Sequence, residues 1–178
     1  MSVLRLVPIY CGSQVDMLAS LASRLEQTFG LHPVQHPPGF DPEQAYESSR
    51  GQYNSRVLLD LLRRELPGGE GRVLGVTSID LFIPVLTFVF GEAQLSGRAA
   101  VVSTHRLDPT HYGLPADRDA LFERLCKESI HELGHTFRLL HCADDRCVMT
   151  SSMYVDGIDI KGSRLCDGCL QLLRAANG

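Results

Sequence analysis

The chain has 178 residues, 44% of them apolar and 21% charged, with a formal net charge of −4. That length suits one compact domain with a genuine core, the near-average composition excludes wholesale disorder, and the acidic balance without a dense basic run disfavours non-specific binding to nucleic acid. The opening MSVLRLVPIYCG has no signal-peptide pattern and no stretch approaches the roughly 20 apolar residues of a membrane span, so the expected location is cytoplasmic, with no membrane partner.

VLRLVPIY, residues 3–10, reads as a first buried strand. From Gln14 to Phe29 the apolar positions Val15, Leu18, Leu21, Ala22 and Leu25 follow a helical period, and Gly30 ends the helix. A short second strand includes His32 to Val34, and the Pro-, Ser- and Gly-rich segment 36–55 is expected to be a mobile surface loop. Asn54 or Ser55 can cap a second helix, RVLLDLLRREL, stopped by Pro67-Gly68-Gly69. RVLGVTS, 72–78, reads as a strand. TFVFGEAQ, 87–94, and RAAVVST, 98–104, form a hairpin about Ser96-Gly97. After a loop at 105–117, Asp117 can cap a third helix carrying Leu121, Phe122, Leu125 and Cys126. This order of elements suggests a mixed sheet with helices packed on it, in one α/β domain spanning 1–178.

The third helix runs into His131-Glu132-Leu133-Gly134-His135. Histidines four apart share a helix face and can bind one ion. Glu132 can lie beside that ion without binding it and take a proton from a water that zinc has acidified. The plain alternative is a helix with two surface histidines and an ordinary glutamate. His141 can join the same ion only if the helix breaks near 137–139 and the chain doubles back. A left-handed residue makes such a break; glycine adopts that conformation most easily, yet Arg138 stands there.

Of the six cysteines, Cys142, Cys147, Cys166 and Cys169 fall in two close pairs across a loop. In a reducing compartment that spacing fits tetrahedral thiolate coordination of zinc, in a closed, structural site. Unligated thiols or a disulfide are the alternatives. Two ions are then expected, one with nitrogen ligands and an open position, one enclosed by sulfur. They abut, since His141 belongs to the first and Cys142 to the second. Fixing Cys142 would also position His141.

HELGHTFRLLHC, followed by ADDRCVMTSSM and CDGC, resembles the archaemetzincins, a metzincin-like branch of zinc peptidases. The matching residues are His131, Glu132, His135, His141, Cys142, Cys147, Met149, Cys166 and Cys169, and TFVFGEAQLSGRAAVVSTHRL is similar to the family's sheet region. The resemblance implies a zincin-like fold: a mixed β-sheet with packed helices, an active-site helix at about 118–137, a Met-turn methionine (Met149) beneath the metal, and a C-terminal four-cysteine zinc module within 142–178. It implies a zinc metallopeptidase, with a catalytic zinc on His131, His135 and His141, Glu132 as general base activating the zinc-bound water, and a second, structural zinc on the four cysteines. TFVFGEAQ would be the edge strand over the cleft, holding an extended peptide or protein substrate by strand addition. A monomer is expected. Arg138 departs from the family's glycine, so the alternative is a non-catalytic zinc-binding protein with a compromised site.

Other residues read more plainly. Met149 could be an ordinary core methionine, and Met153 competes for its role. Tyr154 could orient a substrate carbonyl or simply pack. His105 and His111 flank a proline loop and read as surface residues, as do His32 and His36. Cys11 and Cys126 read as small core hydrophobes, and Asp80 as a cap.

Overall fold

The computed structural model describes residues 2–66, 68 and 71–177; Pro67 and Gly69 of the expected helix stop lie outside them. Its main sheet has the strand order β2 (His32–Gln35), β1 (Val3–Ile9), β5 (Arg72–Thr77), β8 (Ala99–Ser103), β7 (Gly91–Ala93). The first four are parallel, and β7 runs antiparallel at the edge beside β8.

The central strands are buried on both faces, which explains their nearly unbroken apolar sequences. Alternate residues feed two cores. Leu4, Leu6, Leu74, Val76, Ala100 and Val102 pack with α1 (Leu18–Phe29) and α3 (Arg118–Thr136). Val7, Ile9, Val73, Ala99 and Val101 pack with α2 (Ser55–Arg64) on the opposite face. The chain is thus a three-layer α/β structure with α3 lying along one side of the sheet.

Segment 36–55 is not the loose loop its composition suggests. A 3₁₀ turn at Pro42–Ala45 is capped by Asp41, and β3 (Tyr46–Glu47) and β4 (Gln52–Asn54) join β6 (Leu81–Phe82) in a second, three-stranded sheet. Strands of two or three residues leave no periodicity to detect. They are held by side chains: Arg50 lies over the Phe82 ring at 4.0 Å and donates to the Leu86 carbonyl at 2.9 Å.

The hairpin forms with a shorter paired region than 87–94, and its turn places Ser96 at φ 60°. Asn54 caps α2 and Asp117 caps α3 as expected, with Asp117 accepting from the Ala120 N–H at 2.9 Å. Residues 12–17 form a 3₁₀ turn, so α1 begins later than the apolar period implies.

Beyond His141 the chain adds α4 (Val155–Ile160) and α5 (Asp167–Asn177). This part is not an isolated module. Val148, Met149, Ile158 and Leu173 are buried in the same core as Leu133 and Phe137.

Candidate metal centres and cleft

Helix α3 ends in two nested turns. The Leu139 N–H donates to the Gly134 carbonyl at 3.1 Å and the Arg138 N–H to the His135 carbonyl at 3.0 Å, the paired bonds of a Schellman motif. Arg138 supplies its left-handed residue, at φ 69°. The reversal that glycine would make most easily is therefore made by arginine, at a conformational cost of about 1–2 kcal/mol. The Arg138 side chain is exposed and is not part of the cleft wall.

The reversal brings His141 back over the helix. Its ring centre lies 5.3 Å from that of His131 and 5.1 Å from that of His135, and the donor atoms of the three lie within 4.8 Å of one another. Second partners orient the first two rings. His131 Nδ1 lies 3.0 Å from the Val148 carbonyl, and His135 Nδ1 lies 2.7 Å from the Leu139 carbonyl. A carbonyl only accepts, so each Nδ1 carries the proton and each Nε2 lone pair is free.

Those Nε2 atoms are 3.1 Å apart. Zinc–nitrogen bonds of about 2.0–2.1 Å at tetrahedral angles imply about 3.3 Å, so the set fits zinc. Burial, aided by the Lys161 ammonium, depresses the His131 pKa to about 3, and burial also lowers that of His135. Both imidazoles are neutral at neutral pH, the form a metal needs.

The four cysteines gather immediately beyond. Their sulfurs lie within 4.8 Å of one another, with Cys142 Sγ and Cys166 Sγ 3.8 Å apart. A zinc–sulfur tetrahedron with bonds of about 2.3 Å has edges of about 3.8 Å. Backbone N–H groups of Cys166 and Met149 point at Cys147 Sγ at 3.4 and 3.5 Å, and that of Asp144 points at Cys142 Sγ at 3.5 Å. Such donors suit thiolates, and the donor set fits a closed zinc site. Burial pushes the Cys147 and Cys169 thiols up, whereas the Cys169 N–H lowers that of Cys166.

His131 and His141 line a cleft of about 510 Å³. One wall is the segment Leu86–Gly91, and Ser151 to Tyr154 also line the cleft. Glu132 lines the cleft and packs against the edge strand at a position that requires glycine: a β-carbon on Gly91 would lie 2.8 Å from Glu132 Cγ. Burial, and after it the carboxylate of Glu128, pushes the Glu132 carboxyl well above the usual range. The Thr87 carbonyl accepts from Arg50 at 3.2 Å and from Gln52 at 3.0 Å, which pins this wall to the smaller sheet.

Met149 is fully buried under the helix, with Gly134 the residue above it, while Met153 is 71% exposed on the rim; this separates the two methionines. Tyr154 is 72% exposed on the same rim. His105 and His111 lie edge to face at 4.9 Å in a separate small depression outside the cleft. His32 and His36 are on the surface, and Cys11 and Cys126 are buried.

Asp80 caps no helix. It holds Arg106 through two contacts of 2.7 Å and accepts from the Gln52 amide at 2.9 Å. Arg106 lines the cleft and lies over Phe88 at 4.3 Å. Sequence reasoning missed Arg106, Gly91, Glu128 and Lys161. Only Glu128 left a signal, four residues before Glu132 on the same helix face.

The family model described as Peptidase family M54 matches residues 40–175. The archaemetzincin of Methanocaldococcus jannaschii is 42% identical over 89% of this chain and 86% of its own length. That of Methanopyrus kandleri is 44% identical over 90% of each. Its crystal structure superposes with a TM-score of 0.86 at 38% identity, covering 99% of this chain and 95% of that one. The Archaeoglobus fulgidus archaemetzincin, crystallised with malonate, gives 0.80 at 34% identity, covering 95% and 98%. Among the described residues no helix is long and apolar enough to cross a membrane. On the strength of the matched model and these relatives, the chain belongs to peptidase family M54, the archaemetzincins, and is a zinc metallopeptidase.

Proposed function

We propose that the chain hydrolyses peptide bonds at the histidine cleft, with His131, His135 and His141 holding the catalytic zinc and Glu132 as general base. Cys142, Cys147, Cys166 and Cys169 hold a second zinc whose role is structural, within a single domain over 1–178. The observation that carries this reading is the convergence of the three imidazoles, with His131 and His141 lining the same cleft as Glu132.

Zinc held by His131, His135 and His141 would supply Lewis acidity to a water and to the scissile carbonyl. Glu132 would take a proton from the attacking water and return it to the departing amine. The wall at Leu86–Gly91, which includes Phe88 and Phe90 and runs into the edge strand at Gly91, would align an extended substrate by strand addition. The cysteine site, its four positions filled by sulfur, holds Cys142 and so positions His141. The protein acts on peptides as a monomer, and its net charge of −4 gives no basis for nucleic-acid binding.

The test is Glu132→Gln. It should keep both zincs and lose cleavage of a peptide library by about 10²-fold or more. A parent protein that carries both zincs yet cleaves nothing in the library returns the non-catalytic alternative.

A further inference from the structure

We infer that Lys161 is a positioning residue for the histidine site: its buried ammonium, set between the Glu128 carboxylate and the Thr150 carbonyl, holds the loop that orients His131. The inference rests on the proposed histidine–zinc reading.

Lys161 is 2% exposed and Glu128 4%, with Nζ 2.7 Å from Glu128 Oε1. The same ammonium donates to the Thr150 carbonyl at 3.2 Å. A buried ion pair is seldom the most stable way to fill a core, since apolar residues of similar volume do as well or better. Stability alone therefore gives no reason for a lysine here, and its two contacts supply one. Glu128 lies on α3 three residues before His131, and it lines the cleft. Thr150 lies two residues after Val148, whose carbonyl fixes the His131 tautomer. Met149, between them, sits beneath Gly134. One cation thus ties the ligand-bearing helix to the loop that aims its first ligand.

The neighbouring clamps allow this pair to be changed without undoing the fold. Arg124 holds Asp159 through bonds of 2.8 and 2.7 Å, and Lys127 donates to the Ile158 and Asp159 carbonyls at 2.8 and 3.0 Å. Both join α4 to α3 through residues other than Glu128 and Lys161.

The experiment uses the full chain with Glu128→Leu and Lys161→Met combined, and a second variant combining Glu128→Gln with Lys161→Met. Each is compared with the parent for thermal midpoint, zinc release to a chelator, and the visible spectrum after cobalt substitution. Expected is a midpoint near or above that of the parent, with zinc leaving the histidine site about 10-fold faster or more, as when an outer-shell partner of a ligand is removed. Release from the cysteine site and the sulfur-to-cobalt charge-transfer bands should not move, whereas the ligand-field bands of the nitrogen site should. Unchanged release and unchanged spectra overturn the inference. So does failure of both variants to fold, because the pair would then serve folding alone. A parent that binds no cation at its histidines overturns the proposed site itself and this inference with it, and the parent's own spectrum shows which has failed.

Discussion

The Met149 sulfur occupies the space beside the bare α-carbon of Gly134, so that a β-carbon there would lie 2.5 Å from Sδ and 3.0 Å from Cε. A glycine inside a long helix costs about 1 kcal/mol of helix propensity, and this contact accounts for it. Gly134→Ala regains that propensity but overpacks a fully buried site, at about 1–3 kcal/mol. A net loss of about 1 kcal/mol is expected in urea unfolding. An unchanged midpoint would mean that Met149 can withdraw.

Arg138 closes α3 in the left-handed region at φ 69°. Arg138→Gly relieves about 1 kcal/mol of backbone strain. Since the turn is already formed and the side chain lies outside the cleft, metal content and peptide hydrolysis should stay as in the parent while the thermal midpoint rises. A large gain in hydrolysis would show instead that arginine leaves His141 misplaced.

Cys169→Ser removes one donor from the sulfur cluster, in which Cys169 is a buried member. The variant should lose one zinc per chain and melt at a lower temperature, because structural zinc binding contributes directly to folding. The histidine site should also exchange its metal faster. Metal analysis and chelator kinetics measure the two effects separately.

Asp80 gives an acid-side dependence of stability. Burial alone would raise its pKa, but the Arg106 guanidinium and the Gln52 amide outweigh it and hold the carboxyl below its usual value. A depressed folded pKa means that the contribution is present above the unfolded value, about 3.9, and is lost as pH falls through the folded one. Asp80→Asn should cost about 1–3 kcal/mol at neutral pH. Its stability should fall less steeply than the parent's below about pH 4, which urea midpoints measured against pH would reveal.

The parts legible in the sequence were those that depend on spacing along one element. The central strands announced themselves as apolar runs because both their faces are covered. Asp117 marked its helix because a cap is a local hydrogen bond. The histidine and cysteine spacings pointed to donor sets that the fold does bring together. What escaped depends on distant partners. Asp80 meets Arg106 from 26 residues away, and nothing near either residue signals the pairing. The strands Tyr46–Glu47 and Leu81–Phe82 are too short to carry a period and exist because Arg50 and Gln52 anchor them. The helices after His141 lie among closely spaced cysteines, and Ile158 and Leu173 join that part to the main core through contacts distant in sequence.

His141 and Cys142 are consecutive, so a single peptide unit links the two donor sets. Peroxide is then a threat to hydrolysis although none of the four cysteines lines the cleft. With the second zinc held by these cysteines as proposed, conversion of one of them to a sulfenic acid would slacken the anchor on the adjoining imidazole and lower hydrolysis before the fold is lost.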